Sequence, residues 1–492
     1  MNRQIPRTWL TVVDSGWRMG RALPPIAAAV VAAIAFSGCS LAPRLELPEV
    51  PTAASYKEPA PWTKAEPADT LPRDAWWSLY ADTELDQLQQ RLIANSPDLA
   101  AALARYNQAR AFGDQLHSGL LPSLALSGSG QRSRQSETAP PTGAATPTFY
   151  NSYGLGVEAD YELDLWGRVR NTVAAGDLSV RAAAADLESA RLSLQAQLTD
   201  NFIVLRGLDR QAALLADTVT AYDRALALTR QRHDAGIVSG LDVARAQTQL
   251  DTARSQQAQN AALRATAEHA IAALVGESPS QFTIVPQSVE IRIPNLPVDL
   301  PANLLQRRPD IAAAQRRTAS ANASVGVARA AYFPSITLSG TYGYRSNASA
   351  DWLTAPNAAW SIGPSLLLDL FDNGKRKAQV AQARAELDEV GAQYRSVVLG
   401  AFQQVEDNLA LLHHYGVAGE AERSAVTSAQ QSLDFAMNRY REGAVSYLEV
   451  VQSQTTMLTA EQNALDLDTR QLRASVALIR ALGGGWEQGG SP

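Results

Sequence analysis

The sequence predicts an α+β membrane protein: one body built twice, each copy holding two strands of barrel type and a pair of long helices with coiled-coil spacing. Three observations carry this. The first is a duplication. Pro97-Asp98-Leu99 is matched by Pro309-Asp310-Ile311, Ala100 to Ala102 by Ala312 to Ala314, Arg105 by Arg317, and Pro122-Ser123-Leu124 by Pro334-Ser335-Ile336, all at one offset. A repeat this long indicates an internal two-fold structural repeat rather than unrelated domains. The second is a switch to period two after Pro122 and Pro334, the mark of strands with one apolar face. The third is a long helical pattern after each strand pair, followed by a turn and a returning helix.

At the N-terminus, Arg3, Arg7, Arg18 and Arg21 flank or precede the run IAAAVVAAIAF, which ends in Ser37-Gly38-Cys39. This is a secretory signal, read as residues 1–38. Small residues before a lone cysteine resemble a bacterial lipobox, whose cysteine is acylated and becomes the mature N-terminus. Cys39 is therefore the expected lipidation (palmitate) site, although Phe36 stands where that pattern prefers Leu. The alternative is an ordinary signal peptide with an incidental cysteine. Ser40 in place of Asp is compatible, by the same resemblance, with sorting to the outer membrane. One cysteine excludes a disulfide framework and a Cys-based zinc cluster. The net charge of −6 is mild and no Lys/Arg-dense run is present, which argues against a nucleic-acid partner. Beyond residue 40 no apolar run reaches about 18 residues, so any membrane crossing is expected as a β-barrel.

Residues 39–75, rich in Pro, Ala and Glu, read as an extended tether over the protein surface. A first repeat spans 76–276. It starts at Trp76-Trp77 with a short helix over about 82–94. Ser96 is expected to cap the next helix, where Pro97 and Asp98 suit the N-terminal turn and its dipole. Strands follow at 122–131 and 150–166 around an exposed loop rich in Pro, Ser and Thr. In the second strand Tyr153, Leu155, Val157, Ala159, Tyr161, Leu163 and Leu165 alternate with Gly154, Gly156, Glu158, Asp160, Glu162 and Asp164. A soluble sandwich and a membrane barrel share that alternation. The signal segment, the strand tyrosines and the lack of other strands favour the barrel, with the acidic face towards the lumen.

From about 172 to 234 the stripe Leu198, Phe202, Leu205, Leu208, Ala212, Leu215, Val219, Tyr222, Leu226 keeps coiled-coil spacing over roughly 90 Å. A turn at 235–240 leads to a helix at 241–275. Residues 277–301 read as a linker with a β-like run, FTIVP. The second repeat, 302–484, holds a helix at 309–331, strands at 334–345 and 359–371, a long helix at about 375–441, a turn at 442–445 and a helix at 446–482. A tail, 485–492, follows. Four strands cannot close a barrel, so the protein is expected to oligomerise.

No nucleophile elbow, Walker loop, HExxH or dinucleotide fingerprint is present, so neither an enzyme nor a cofactor is expected. His413-His414 reads as an exposed helix pair. Asp164 and Asp369 occupy equivalent strand-to-helix junctions and read as lumen lining or helix capping, not a carboxylate pair.

The segments DAWWSLYADTELDQL, NSPDLAAALARYNQARA, YELDLWGRVR, LLQRRPDIAAAQRR, AAYFPSITLSG and ALGGGW resemble the outer-membrane efflux protein family, the TolC-like channels, in their lipoprotein (NodT-type) branch. The resemblance runs from about residue 40 to 486. It implies a homotrimer whose chains form one twelve-stranded barrel in the outer membrane, continued by a periplasmic helical tunnel. It further implies a passive exit duct for drugs or other small toxic compounds. The implied partners are a periplasmic adaptor (membrane fusion) protein and an inner-membrane transporter of the resistance-nodulation-division class. A polypeptide secretion conduit and a non-conducting adhesin or scaffold are the alternatives. The turns at Gly236 and Gly443, at the far ends of the helix pairs, are the expected adaptor-docking tips. By resemblance, Asp242 and Tyr440 match the network that holds the periplasmic gate closed, and Glu449 matches an acid of the constriction ring. Val445 and Gln452 replace a family arginine and a second ring aspartate. The gate is therefore expected to rest on a Tyr440–Asp242 hydrogen bond without a cationic latch. Glu158, Asp160 and Glu162 are expected to line the pore and to favour cations at most. The substrate is not encoded.

Overall fold

A computed structural model describes residues 40–50, 56–57, 75–134, 149–294, 308–350 and 352–484. The first repeat contains α1 (Thr83–Asn95), α2 (Pro97–His117), β1 (Ser123–Arg134), β2 (Phe149–Glu162), α3 (Arg168–Asp234) and α4 (Gly240–Leu274). The second contains α5 (Pro309–Ala330), β3 (Ser335–Ser346), β4 (Ala358–Leu367), α6 (Lys375–Arg441) and α7 (Tyr447–Ala481). The duplication extends to element length. α3 and α6 each have 67 residues, α4 and α7 each 35. At 1.5 Å per residue the longer helices span about 100 Å.

The strands form one antiparallel meander, β1-β2-β3-β4. Their 12, 14, 12 and 10 residues are enough for tilted strands to cross a bilayer. Register places Leu126 opposite Val157, Val157 opposite Tyr342 and Tyr342 opposite Trp360, so the apolar residues of all four strands share one face. Leu124, Leu126, Trp360, Ile362 and Leu366 are each at least 65% exposed, a patch too large for a soluble monomer. Among the described residues both edges of the sheet, β1 and β4, lack a partner.

Two strands end earlier than their alternation suggests: β2 at Glu162, not 166, and β4 at Leu367, not 371. Leu163 still donates its N–H to Ile336 O at 2.8 Å, but the chain then turns. Trp166 stacks on Phe333 (centroids 4.7 Å apart), and its Nε1 donates to Pro334 O at 2.9 Å. β1 runs three residues further than expected, to Arg134, whose guanidinium lies 5.3 Å from the Phe149 ring. α3 begins four residues early, entered through Gly167 at φ +76°. Asp164 accepts the Arg170 N–H at 2.8 Å in that first turn. In the second repeat the corresponding task falls to Asp372, which accepts the N–H groups of Gly374 and Arg376 (both 3.0 Å), and Asp369 is exposed.

Ser96 sits at the N-cap of α2, yet its side chain makes no capping bond; the buried hydroxyl has no partner among the described residues, and its carbonyl serves Ala100. Asp82 is the side-chain cap, for α1, accepting from the N–H groups of Glu84 and Leu85.

The main core gathers Trp76, Trp77, Tyr80, Leu85, Leu88 and Leu92 against Leu198, Phe202 and Leu205 of α3 and Ile271 of α4. FTIVP belongs to this core and is not a strand: Phe282 and Ile284 are buried in it. Its backbone is satisfied by side chains. Glu268 accepts the Ile284 N–H (2.6 Å), Arg264 donates to Ile284 O (2.6 Å) and Arg206 to Val285 O (3.0 Å).

Candidate functional site

The far ends of the two helix pairs carry most of the expected site residues. At both turns the last helical residues are followed by glycine in the left-handed region, Gly236 at φ +75° and Gly443 at φ +77°. Gly236 N–H bonds to His233 O and Ile237 N–H to Arg232 O; Gly443 and Ala444 repeat this on Tyr440 and Arg439. These are Schellman closures, in which glycine relieves the Cβ clash of positive φ. A Cβ at either position would meet nothing within 4 Å, so both turns are bare.

Each returning helix then opens on a serine followed three residues later by an acid, Ser239 with Asp242 and Ser446 with Glu449. This spacing is that of a capping box. Ser239 Oγ donates to Asp242 Oδ2 at 3.1 Å, and Arg245 lies 3.5 Å from Asp242 Oδ1. Glu449 is half exposed and 3.7 Å from Arg439.

Between the hairpins lies a small core of Tyr222, Leu226, Ala246, Leu250, Tyr440, Tyr447 and Val450, with Val445 packed against it. Tyr440 is 3% exposed and its ring sits 5.2 Å from that of Tyr447. The Tyr447 hydroxyl is pushed up to about 12 by burial first, then by Tyr440, Tyr222 and Asp242. The expected Tyr440–Asp242 hydrogen bond is not formed within the chain. Among the described residues the Tyr440 hydroxyl has no partner, and Asp242 is occupied by its own helix start.

A cation nevertheless joins the hairpins at this point. Arg232, at the end of α3, donates from Nη1 to Tyr440 O and from Nη2 to Arg441 O, both at 2.7 Å, and lies 4.8 Å from the Tyr440 ring centroid. The sequence reading missed this residue. Its signal was positional: Arg232 and Arg439 each stand four residues before a turn glycine.

The acids of β2 do not behave alike. Asp160 accepts from Ser339 Oγ at 2.6 Å, Glu162 pairs with Arg168, and Glu158 is exposed. Arg345 shares their face, because it stands opposite Gly154.

Cys39 lies outside the described residues, but the chain immediately behind it is seated against the start of α3 and along α5. Ser40 Oγ donates to Asn171 Oδ1 (2.8 Å), Asn322 to Pro43 O (2.8 Å) and Arg329 to Leu41 O (3.3 Å). A Cβ on Gly326 would lie 2.7 Å from Ala42 N, so this close passage requires glycine. Further along, Leu47, Val50 and Tyr56 pack on a core formed by α5, α6 and α7. Among the described residues no group of acids, histidines or cysteines is placed to hold a metal, and no helix is long and apolar enough to cross a membrane.

A four-stranded arc with an apolar outer face, open edges and two helix pairs about 100 Å long defines an outer-membrane channel of the kind built from several chains. The chain belongs to the outer membrane efflux protein family, whose profile matches residues 88–277 and 300–484, one span per repeat. It is 32% identical to the outer membrane protein OprJ of Pseudomonas aeruginosa over 94% of this chain and 96% of that one. It is 31% identical to the probable efflux pump outer membrane protein TtgC of Pseudomonas putida over 93% and 94%. Among solved structures, the outer-membrane channel OprN superposes with a TM-score of 0.84 at 29% identity, covering 91% of this chain and all of that one. The open state of the MtrE channel of Neisseria gonorrhoeae superposes at 0.79 with 26% identity, covering 91% and 98%. Structural neighbours of this type are trimeric, a β-barrel on a helical barrel.

Proposed function

We propose that the protein is the outer-membrane exit duct of a tripartite efflux pump, taking drugs or other small toxic compounds from a periplasmic adaptor and an inner-membrane transporter. The observation that carries this reading is the joining of a membrane-length sheet to helix pairs about three times the thickness of a bilayer's hydrocarbon core. Such helices reach far into the periplasm and make no compact domain of their own. In this reading Gly236 and Gly443 mark the surfaces on which the adaptor docks. The tip core around Tyr440 holds the duct closed at rest. Cys39 carries the lipid anchor, which the seating of residues 40–43 beside the start of α3 supports. Glu158 and Asp160 face the permeating solute and favour cations weakly.

The test is conductance. Purified trimers inserted in a planar bilayer should give a persistent aqueous pore with a reversal potential on the cation side. Silence in every preparation contradicts the duct; a pore with clear anion preference contradicts the role given to the β2 acids.

A further inference from the structure

Most polar contacts at the tips stay within one hairpin. Arg230 donates to Gln247 at 2.7 Å inside the first, and Arg439 approaches Glu449 inside the second. Arg232 crosses between them. It offers two donors of its planar fork to two successive carbonyls of the last turn of α6, and its face to the Tyr440 ring. Those carbonyls lie at the negative end of a helix, where a guanidinium is favoured both as donor and as charge. No carboxylate among the described residues pairs with Arg232, so its charge is answered across the hairpin boundary.

We infer that Arg232 is a clasp that holds the second hairpin against the first and so keeps the periplasmic end closed. The inference rests on the duct reading. α6 and α7 cannot swing away from α3 and α4 without pulling both carbonyls off the guanidinium. The same movement draws Tyr440 out of the tip core. The repeat makes the clasp one-sided. Arg439, the counterpart of Arg232, turns to Glu449, so among the described residues the arginine bridge at the tips runs one way, from the first hairpin to the second, beside the neutral contacts Tyr222–Gln454 and Gln249–Thr455. Arg232 acts by positioning α6 and does not need to touch a solute.

The experiment compares resting conductance in planar bilayers for full-length trimers of the wild type, Arg232→Ala, Arg232→Lys and Arg230→Ala, with the thermal midpoint of each trimer measured in parallel. Arg232→Ala is expected to raise resting open probability roughly tenfold, an equilibrium change of about 1.4 kcal/mol. The trimer's thermal midpoint should stay unchanged. Arg232→Lys keeps the charge and the bulk, so it assembles even if the alanine variant does not. It should leak too, because one ammonium cannot span both carbonyls and the ring. Arg230→Ala should conduct as the wild type does. Assembled Arg232 variants with wild-type conductance overturn the clasp, as does an equal rise in Arg230→Ala. Silence of all four channels removes the duct reading itself, an outcome distinct from a conducting but unchanged Arg232 variant.

Discussion

Gly236 and Gly443 separate two reasons for a residue to be present. Their positive φ and Schellman bonds account for glycine structurally, yet neither position has a neighbour that a side chain would strike. Replacing both with leucine should therefore cost only the left-handed strain, about 1–2 kcal/mol each, and leave trimer yield normal. If the tips receive the adaptor, the same double variant should abolish drug export in a complemented efflux strain. Unchanged resistance would remove the docking role and leave the turn geometry as the whole explanation. Tyr440 shows how residue identity can be legible while its interaction is not. Spacing brings Tyr440 and Asp242 to the same level, but a serine three residues before Asp242 offers it a nearer partner. The ring is used for packing and for Arg232, and the hydroxyl bonds to none of the described residues.

At the scale of elements, periodicity located every long helix to within a few residues and all four strands. It erred where an apolar run stopped being a strand for tertiary reasons. Leu163 to Leu165 continue the alternation, but Trp166 leaves the sheet for Phe333 and Pro334. FTIVP has strand composition, and its backbone is claimed by charged side chains. Those side chains form the most deeply buried charge cluster among the described residues. Arg206 and Asp209, with side chains 2% and 1% exposed, are 2.9 Å apart. Arg264 lies 2.7 Å from the other Asp209 oxygen, and Glu84 of α1 closes on Arg206. No short-range sequence signal announces this cluster, since its members come from three helices and serve a fourth segment. Asp209→Ala leaves two buried guanidinium groups without their shared anion and should cost about 3–5 kcal/mol. Asp200→Ala, which breaks the more exposed pair with Arg473, should cost about 1 kcal/mol or less. Denaturant midpoints of the two variants check the difference, and equal midpoints would mean that the cluster does not fasten the linker.

For the whole molecule, the duplication explains what one chain lacks. The exit of the first repeat meets the entry of the second through the β2–β3 ladder and the Trp166–Phe333 stack. The equivalent exit of the second repeat, β4 with Phe371, is open, and so is the equivalent entry, Leu121 leading into β1; the two residues are 85% and 70% exposed. A neighbouring chain that repeats the internal junction covers both. Carrying the Tyr161–Leu338 pairing through the repeat sets Leu366 of one chain opposite Leu126 of the next. Both then fall on the apolar face, as continuity of the barrel demands. Oxidation of the Leu126→Cys/Leu366→Cys protein in outer membranes, read on a denaturing gel, tests the shared barrel most directly. A covalent trimer is predicted, with none from the opposite-face pair Leu126→Cys/Ser365→Cys. Native trimers that never cross-link through the first pair, or that cross-link equally through the second, would contradict it.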